Sequence, residues 1–91
     1  MKKHFDIFIE ADFRNTGFVF LILKKARQLG INGRAGYNSS GEVIIEAEGS
    51  DEKVEMLLDF CANYPDKNGY VDPDIKQGIM KNYKQFEMNI Y

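Results

Sequence analysis

Ninety-one residues are enough for one hydrophobic core and too few for two. A hydrophobic content of 44% beside 29% charged residues excludes a disordered chain and fits a folded globular domain. Twelve basic against fourteen acidic residues leave a net charge of −2, which argues against nucleic acid, whose partners present a basic face. No stretch reaches the roughly 20 apolar residues of a membrane span, and Asp6 and Glu10 interrupt the first apolar run, unlike a signal peptide. The lone Cys61 cannot form an internal disulfide and suits a reducing compartment; beside Phe60 in a helical pattern it reads as a buried structural thiol. The expectation is one domain over residues 1–91, cytoplasmic, with no membrane and no nucleic-acid partner.

Residues 4–11 alternate, with Phe5, Ile7, Ile9 and Ala11 on one side and His4, Asp6, Phe8 and Glu10 on the other, the pattern of a half-buried strand. Residues 18–29 carry Phe18, Leu21, Ile22, Ala26 and Leu29 on one helical stripe. Lys24, Lys25 and Arg27 lie toward the negative end of the helix dipole, and Gly30 is the expected stop. Val19, Phe20 and Leu23 fall outside the stripe and form an expected apolar contact surface for a protein partner. Ile31 to Asn38 reads as a second strand, Asn38-Ser39-Ser40-Gly41 as a tight turn, and Glu42 to Glu48 as a third strand completing a hairpin. Ser50 or Asp51 caps a second helix that runs to about Asn63 and places Val54, Leu57, Leu58 and Cys61 inward. Tyr64 to Gly69 is loop, Tyr70 to Asp74 is extended at best because of Pro73, Ile75 to Met80 is a weak strand, and Phe86, Met88 and Ile90 mark a terminal strand.

The order β-α-β-β-α-β, with an extra short strand, predicts an α+β fold: a ferredoxin-like sandwich with two helices on one face of an antiparallel sheet. Between the first strand and first helix lies Ala11-Asp12-Phe13-Arg14-Asn15-Thr16-Gly17-Phe18. A helix start has N–H groups without intrahelical acceptors and a partial positive charge, so a short glycine-bearing loop there can curl around an anion. On pattern alone, a lone glycine loop of this kind reads first as a plain connector. Asp6, Glu10, Glu42, Glu46 and Glu48 fall on the polar faces of their strands and read as a solvated acidic surface. His4, one cysteine and scattered carboxylates make neither a catalytic triad nor a metal-ligand spacing, so no metal and no cofactor are expected.

Over residues 5 to 90 the chain resembles the acylphosphatase family. The family signature G-x-V-Q-G-V-G-F-R falls on Ala11-Asp12-Phe13-Arg14-Asn15-Thr16-Gly17-Phe18-Val19. The later pattern A-x-x-L-G-L-x-G-W-V-x-N-x-x-D-G-x-V meets Ala26 to Val43, with Leu29, Gly30, Gly33, Gly41 and Val43 in place, and Glu46-Ala47-Glu48-Gly49 sits where the third strand ends. The resemblance implies hydrolysis of the carboxyl-phosphate bond of acyl phosphates without metal or covalent intermediate. The loop backbone would cradle the phosphate, an arginine would clamp it and an asparagine would position water. Here the arginine position is Val19 and the asparagine position is Tyr37, neither of which can perform that role.

Two expectations follow. In the first, the domain is catalytically impaired, keeps at most a weak anion site at Asn15, Thr16, Gly17, Phe18 and Val19 for a phosphate-bearing ligand, and works as a binding or interaction module. In the second, it is a divergent acylphosphatase that has recruited Arg14 and Asn38, the latter through a bulge near Gly36. The open sheet face that RNA-recognition motifs use needs a basic-aromatic third strand, which Gly41 to Ile45 does not supply.

Overall fold

The computed structural model describes residues 1–64 and 72–89. Its elements are β1 (Lys3–Ile9), α1 (Phe18–Leu29), β2 (Asn32–Tyr37), β3 (Val43–Gly49), α2 (Asp51–Ala62), β4 (Asp74–Gly78) and β5 (Phe86–Met88). They build one sheet of order β4-β1-β3-β2-β5 with both helices on one face, the predicted ferredoxin-like sandwich. β1, β2, β3 and β4 pair antiparallel, while the short β5 joins β2 in parallel and makes the sheet mixed. Most of the predicted 64–74 loop and extended segment, and Ile90, lie outside the described residues.

Period-2 alternation does the sorting. Ile7 and Ile9 of β1 and Val43, Ile45 and Ala47 of β3 face the helices and are buried. They meet Phe18, Ile22 and Ala26 from α1 and Val54, Leu57 and Cys61 from α2. A fully buried Ile, Leu or Phe contributes roughly 1.5–3 kcal/mol, so this layer is the main source of stability. α2 begins at the predicted cap, where the Ser50 hydroxyl accepts the Lys53 N–H at 3.3 Å, and α1 stops at Gly30.

The buried face of α1 differs from the expected stripe. Val19 is 2% exposed and joins the core, whereas Leu21 is 37% exposed. Residues 18–23 are all apolar, so periodicity alone cannot fix which face turns inward; the buried set Phe18, Val19, Ile22 and Ala26 follows spacings of three and four. Val19 therefore leaves the proposed contact surface, on which Phe20 stays exposed and Leu23 half-buried.

β2 sits close to β3 because Gly33 permits it. At φ 146° its backbone is one that side chains rarely adopt, and a Cβ there would fall 1.8 Å from the carbonyl oxygen of Glu46. The same glycine donates its N–H to Gln85 O at 3.0 Å, which starts the β2–β5 pairing and brings Phe86 into the core. From α1, Arg27 Nε donates to Phe86 O at 3.1 Å.

Candidate functional site

The loop from Ala11 to Gly17 is built on its own hydrogen bonds. Phe13 N–H donates to Gly41 O at 3.0 Å, tying the loop to the β2–β3 turn. Thr16 Oγ1 donates to Phe13 O at 2.7 Å and accepts the Phe18 N–H at 3.2 Å. Asn15 (φ 62°) and Gly17 (φ 77°) are both left-handed, the backbone choice that turns successive N–H groups toward one side. An aromatic trio fastens the loop from below. Tyr64 stacks on Phe18 at 4.2 Å between centroids, Phe13 lies 4.5 Å from Phe18, and the Tyr64 hydroxyl donates to Thr16 O at 3.3 Å.

Of the six N–H groups of residues 14–19, three already have acceptors: Arg14 on Asp12 Oδ1 at 3.0 Å, Thr16 on Phe13 O at 3.3 Å, and Phe18 on Thr16 Oγ1. Among the described residues, those of Asn15, Gly17 and Val19 have none. The candidate cradle is thus half occupied by the protein itself. An anion there would meet three N–H donors and the start of α1, without a side-chain clamp from residue 19.

The structure places each sequence-predicted side chain. Val19 packs in the core, and Tyr37 lies half-buried against the same cluster. Arg14 forks onto Asp12, with Nε 2.9 Å from Oδ1 and Nη2 2.6 Å from Oδ2, and Asp12 raises the pKa of the guanidinium above its ordinary value. This pair rests on Gly41, where a Cβ would come 2.1 Å from Asp12 Oδ1. Asn38 is committed to the turn: Oδ1 accepts from Ser40 and Glu42 N–H at 2.9 and 3.0 Å, and Nδ2 donates to Glu42 Oε1 at 2.9 Å. β2 pairs with β3 one-to-one from Asn32 to Tyr37, so no bulge near Gly36 turns Asn38 around.

The sheet's other face holds a cluster that the sequence reading missed. Glu46 and Glu48, expected to be solvated, are buried at 5% and 1% exposure, and His4 is buried at 1%. Residues 79–85 cause the burial by passing over them. Glu48 accepts the N–H groups of Lys81 and Tyr83 at 2.7 and 2.9 Å, and Lys81 Nζ and the Arg34 guanidinium both bind Glu46. Burial pushes the Glu46 carboxyl up, but hydrogen bonds from Lys81, Arg34 and Tyr83 outweigh it and hold it at about 2. Donor atoms of His4, Asp6 and Glu46 lie within 4.8 Å of one another, but with Glu46 already flanked by two cations this is a closed ion network, not an open ligand set. Two-residue spacing on facing strands, His4 and Asp6 against Glu48 and Glu46, was the available signal. Glu10 and Glu42 lie outside this cluster, Glu42 having turned to Asn38.

Among the described residues no helix is long and apolar enough to cross a membrane. The family model described as Acylphosphatase matches residues 5–88. An acylphosphatase of Archaeoglobus fulgidus is 25% identical over 83 residues, covering 91% of this chain and 93% of that protein. An acylphosphatase of Mannheimia succiniciproducens is 31% identical over 65 residues, covering 71% and 70%. The solved structure of an acylphosphatase from Coxiella burnetii matches the fold at a TM-score of 0.86 with 17% identity, over 97% of this chain and 93% of that one. The match of nearly the whole chain to one family model, on the fold described above, makes this protein a member of the acylphosphatase family.

Proposed function

We propose that this chain is an acylphosphatase-family domain that binds rather than turns over: an anion or phosphate-bearing ligand is held weakly at Asn15 to Val19, and acyl phosphates are not hydrolysed at the family's rate. The observation that carries this reading is the pair Val19 and Tyr37 at the positions where the family resemblance calls for the arginine clamp and the water-positioning asparagine. Phosphoryl transfer asks a protein mainly for positioning and charge stabilisation, and losing one comparable donor typically costs ~10²–10³ in rate. The candidate substitutes are engaged elsewhere, Arg14 with Asp12 and Asn38 with the turn, which favours this reading over a divergent enzyme that recruits them. Contact with a protein partner, in the same reading, uses Phe20 and Leu23 on the outer side of α1.

Two measurements test it. Purified protein assayed on benzoyl phosphate is expected to show no turnover above buffer, and turnover typical of the family overturns the proposal. Inorganic phosphate titrated into labelled protein is expected to move the amide signals of Asn15, Gly17 and Val19. Signals that stay fixed at tens of millimolar phosphate would leave the loop a connector and sink the binding half of the reading.

A further inference from the structure

β4 and β5 lie at opposite edges of the sheet, so the connection between them, residues 79–85, must cross the face that the helices leave open. This strap is fastened at its centre by Glu48, a carboxylate with 1% exposure that accepts the N–H groups of Lys81 and Tyr83. The charge of Glu48 is balanced by His4, whose Nδ1 lies 2.7 Å from Oε2; Glu46 is balanced separately by Arg34 and Lys81. The other ring nitrogen of His4, Nε2, lies 2.9 Å from Asp6 Oδ1. A neutral imidazole has one N–H and one lone pair. Carboxylate oxygens at hydrogen-bond distance from both nitrogens therefore call for the doubly protonated ring.

We propose that His4 is a proton-controlled latch: as imidazolium it holds Glu48 in place for the strap, and loss of its proton lets residues 79–85 lift from the sheet. The groups facing the ring are Asp6 from β1, Glu46 and Glu48 from β3, and Tyr83 from the strap, stacked at 6.4 Å between centroids. Lys76 of β4 stands opposite Asp6, Gly78 packs on the ring edge, and Arg34 of β2 and Lys81 complete the surround. On deprotonation Asp6, whose side chain is 55% exposed, can turn to solvent. Glu48 cannot: its charge would remain buried without its cation, a state relieved by water once the strap gives way. The hydrogen bonds of Glu48 and Asp6 outweigh the effect of burial, which alone would lower it, and raise the His4 pKa above 6.5, so the latch is closed below that value and opens as pH rises through the raised one. This device acts on the sheet face away from the loop and stands whatever that loop binds.

The test is a pH titration of the 91-residue chain followed by nuclear magnetic resonance, reading the His4 ring signals together with the Lys81 and Tyr83 amides. Both ring nitrogens are expected to carry protons at pH 5.5, and the two amides are expected to shift with the midpoint of the ring. Asp6→Asn, a change at a half-exposed side chain, is expected to move both midpoints to lower pH together. A ring with a bare nitrogen at pH 5.5 overturns the proposal. So do Lys81 and Tyr83 amides that stay fixed while His4 titrates, in either protein.

Discussion

Replacing Glu48 with alanine removes at one stroke the acceptor of three hydrogen bonds, from His4 Nδ1 at 2.7 Å and the N–H groups of Lys81 and Tyr83 at 2.7 and 2.9 Å. Two of these donors are backbone groups that the strap presents to a buried site, and the third is a buried cation. Hydrogen bonds to a charged acceptor are worth about 1.5–3 kcal/mol each, and breaking a buried ion pair by deleting one partner costs roughly 3–5 kcal/mol. The three contacts form one network and do not add, so about 3–5 kcal/mol is the expected loss for Glu48→Ala. In a domain of this size each kcal/mol lowers Tm by about 4–8 °C, which places the drop at roughly 12–40 °C. Circular dichroism melts at pH 6 read the shift, and urea titration gives the free energy directly. Glu48→Gln should fall between wild type and alanine, because its carbonyl still accepts one N–H while its amide opposes another. A loss below about 1 kcal/mol for Glu48→Ala would refute the view that this carboxylate fastens the strap.

The same network fixes the pH profile of stability. Glu46 and Glu48 have lowered pKa values, so their contribution is present above 4.5 and lost as pH falls toward the value of about 2 for Glu46; that of His4 is present below 6.5 and lost as pH rises past its raised value. Tm is therefore expected to peak between pH 4.5 and 6.5, and a peak at pH 8 would contradict the assignment. Gly33→Ala is expected to cost more than about 2 kcal/mol, since φ strain adds to a Cβ aimed at the β3 backbone; a wild-type melting curve would show that β2 can back away. Cys61, fully buried and with its thiol pushed up to about 12, should resist a disulfide reagent in native protein at pH 8 and react once urea unfolds the chain.

The helix-facing layer was readable because β1 and β3 alternate strictly and each helix ends at a recognisable residue, Gly30 for α1 and the Ser50 cap for α2. The inward face of α1 was not, since six successive apolar residues carry no phase. Burial of Glu46 and Glu48 was hidden for a different reason: it depends on a segment some 35 residues later in the chain, and local pattern carries no information about what will lie on top. In the loop, the resemblance picked out Val19 and Tyr37, but only coordinates reveal that Thr16 spends its hydroxyl on the Phe18 N–H and that Arg14 is bound to Asp12.

A three-residue strand at one margin, inserting a single aromatic plug and reached by a bridge from the far margin, has a dynamic consequence. Phe86 and Met88 can detach together with residues 79–85 while β1, β3 and α2 keep their pairing and packing, α1 giving up its contact with Phe86 and the Arg27 hydrogen bond. Such a unit opens at a lower free energy than the whole molecule, so slow amide exchange should end at β2 and protease should nick first between residues 79 and 85. The detached state bares the outer edge of β2, whose unpaired N–H and C=O groups can then pair with an extended strand from another chain.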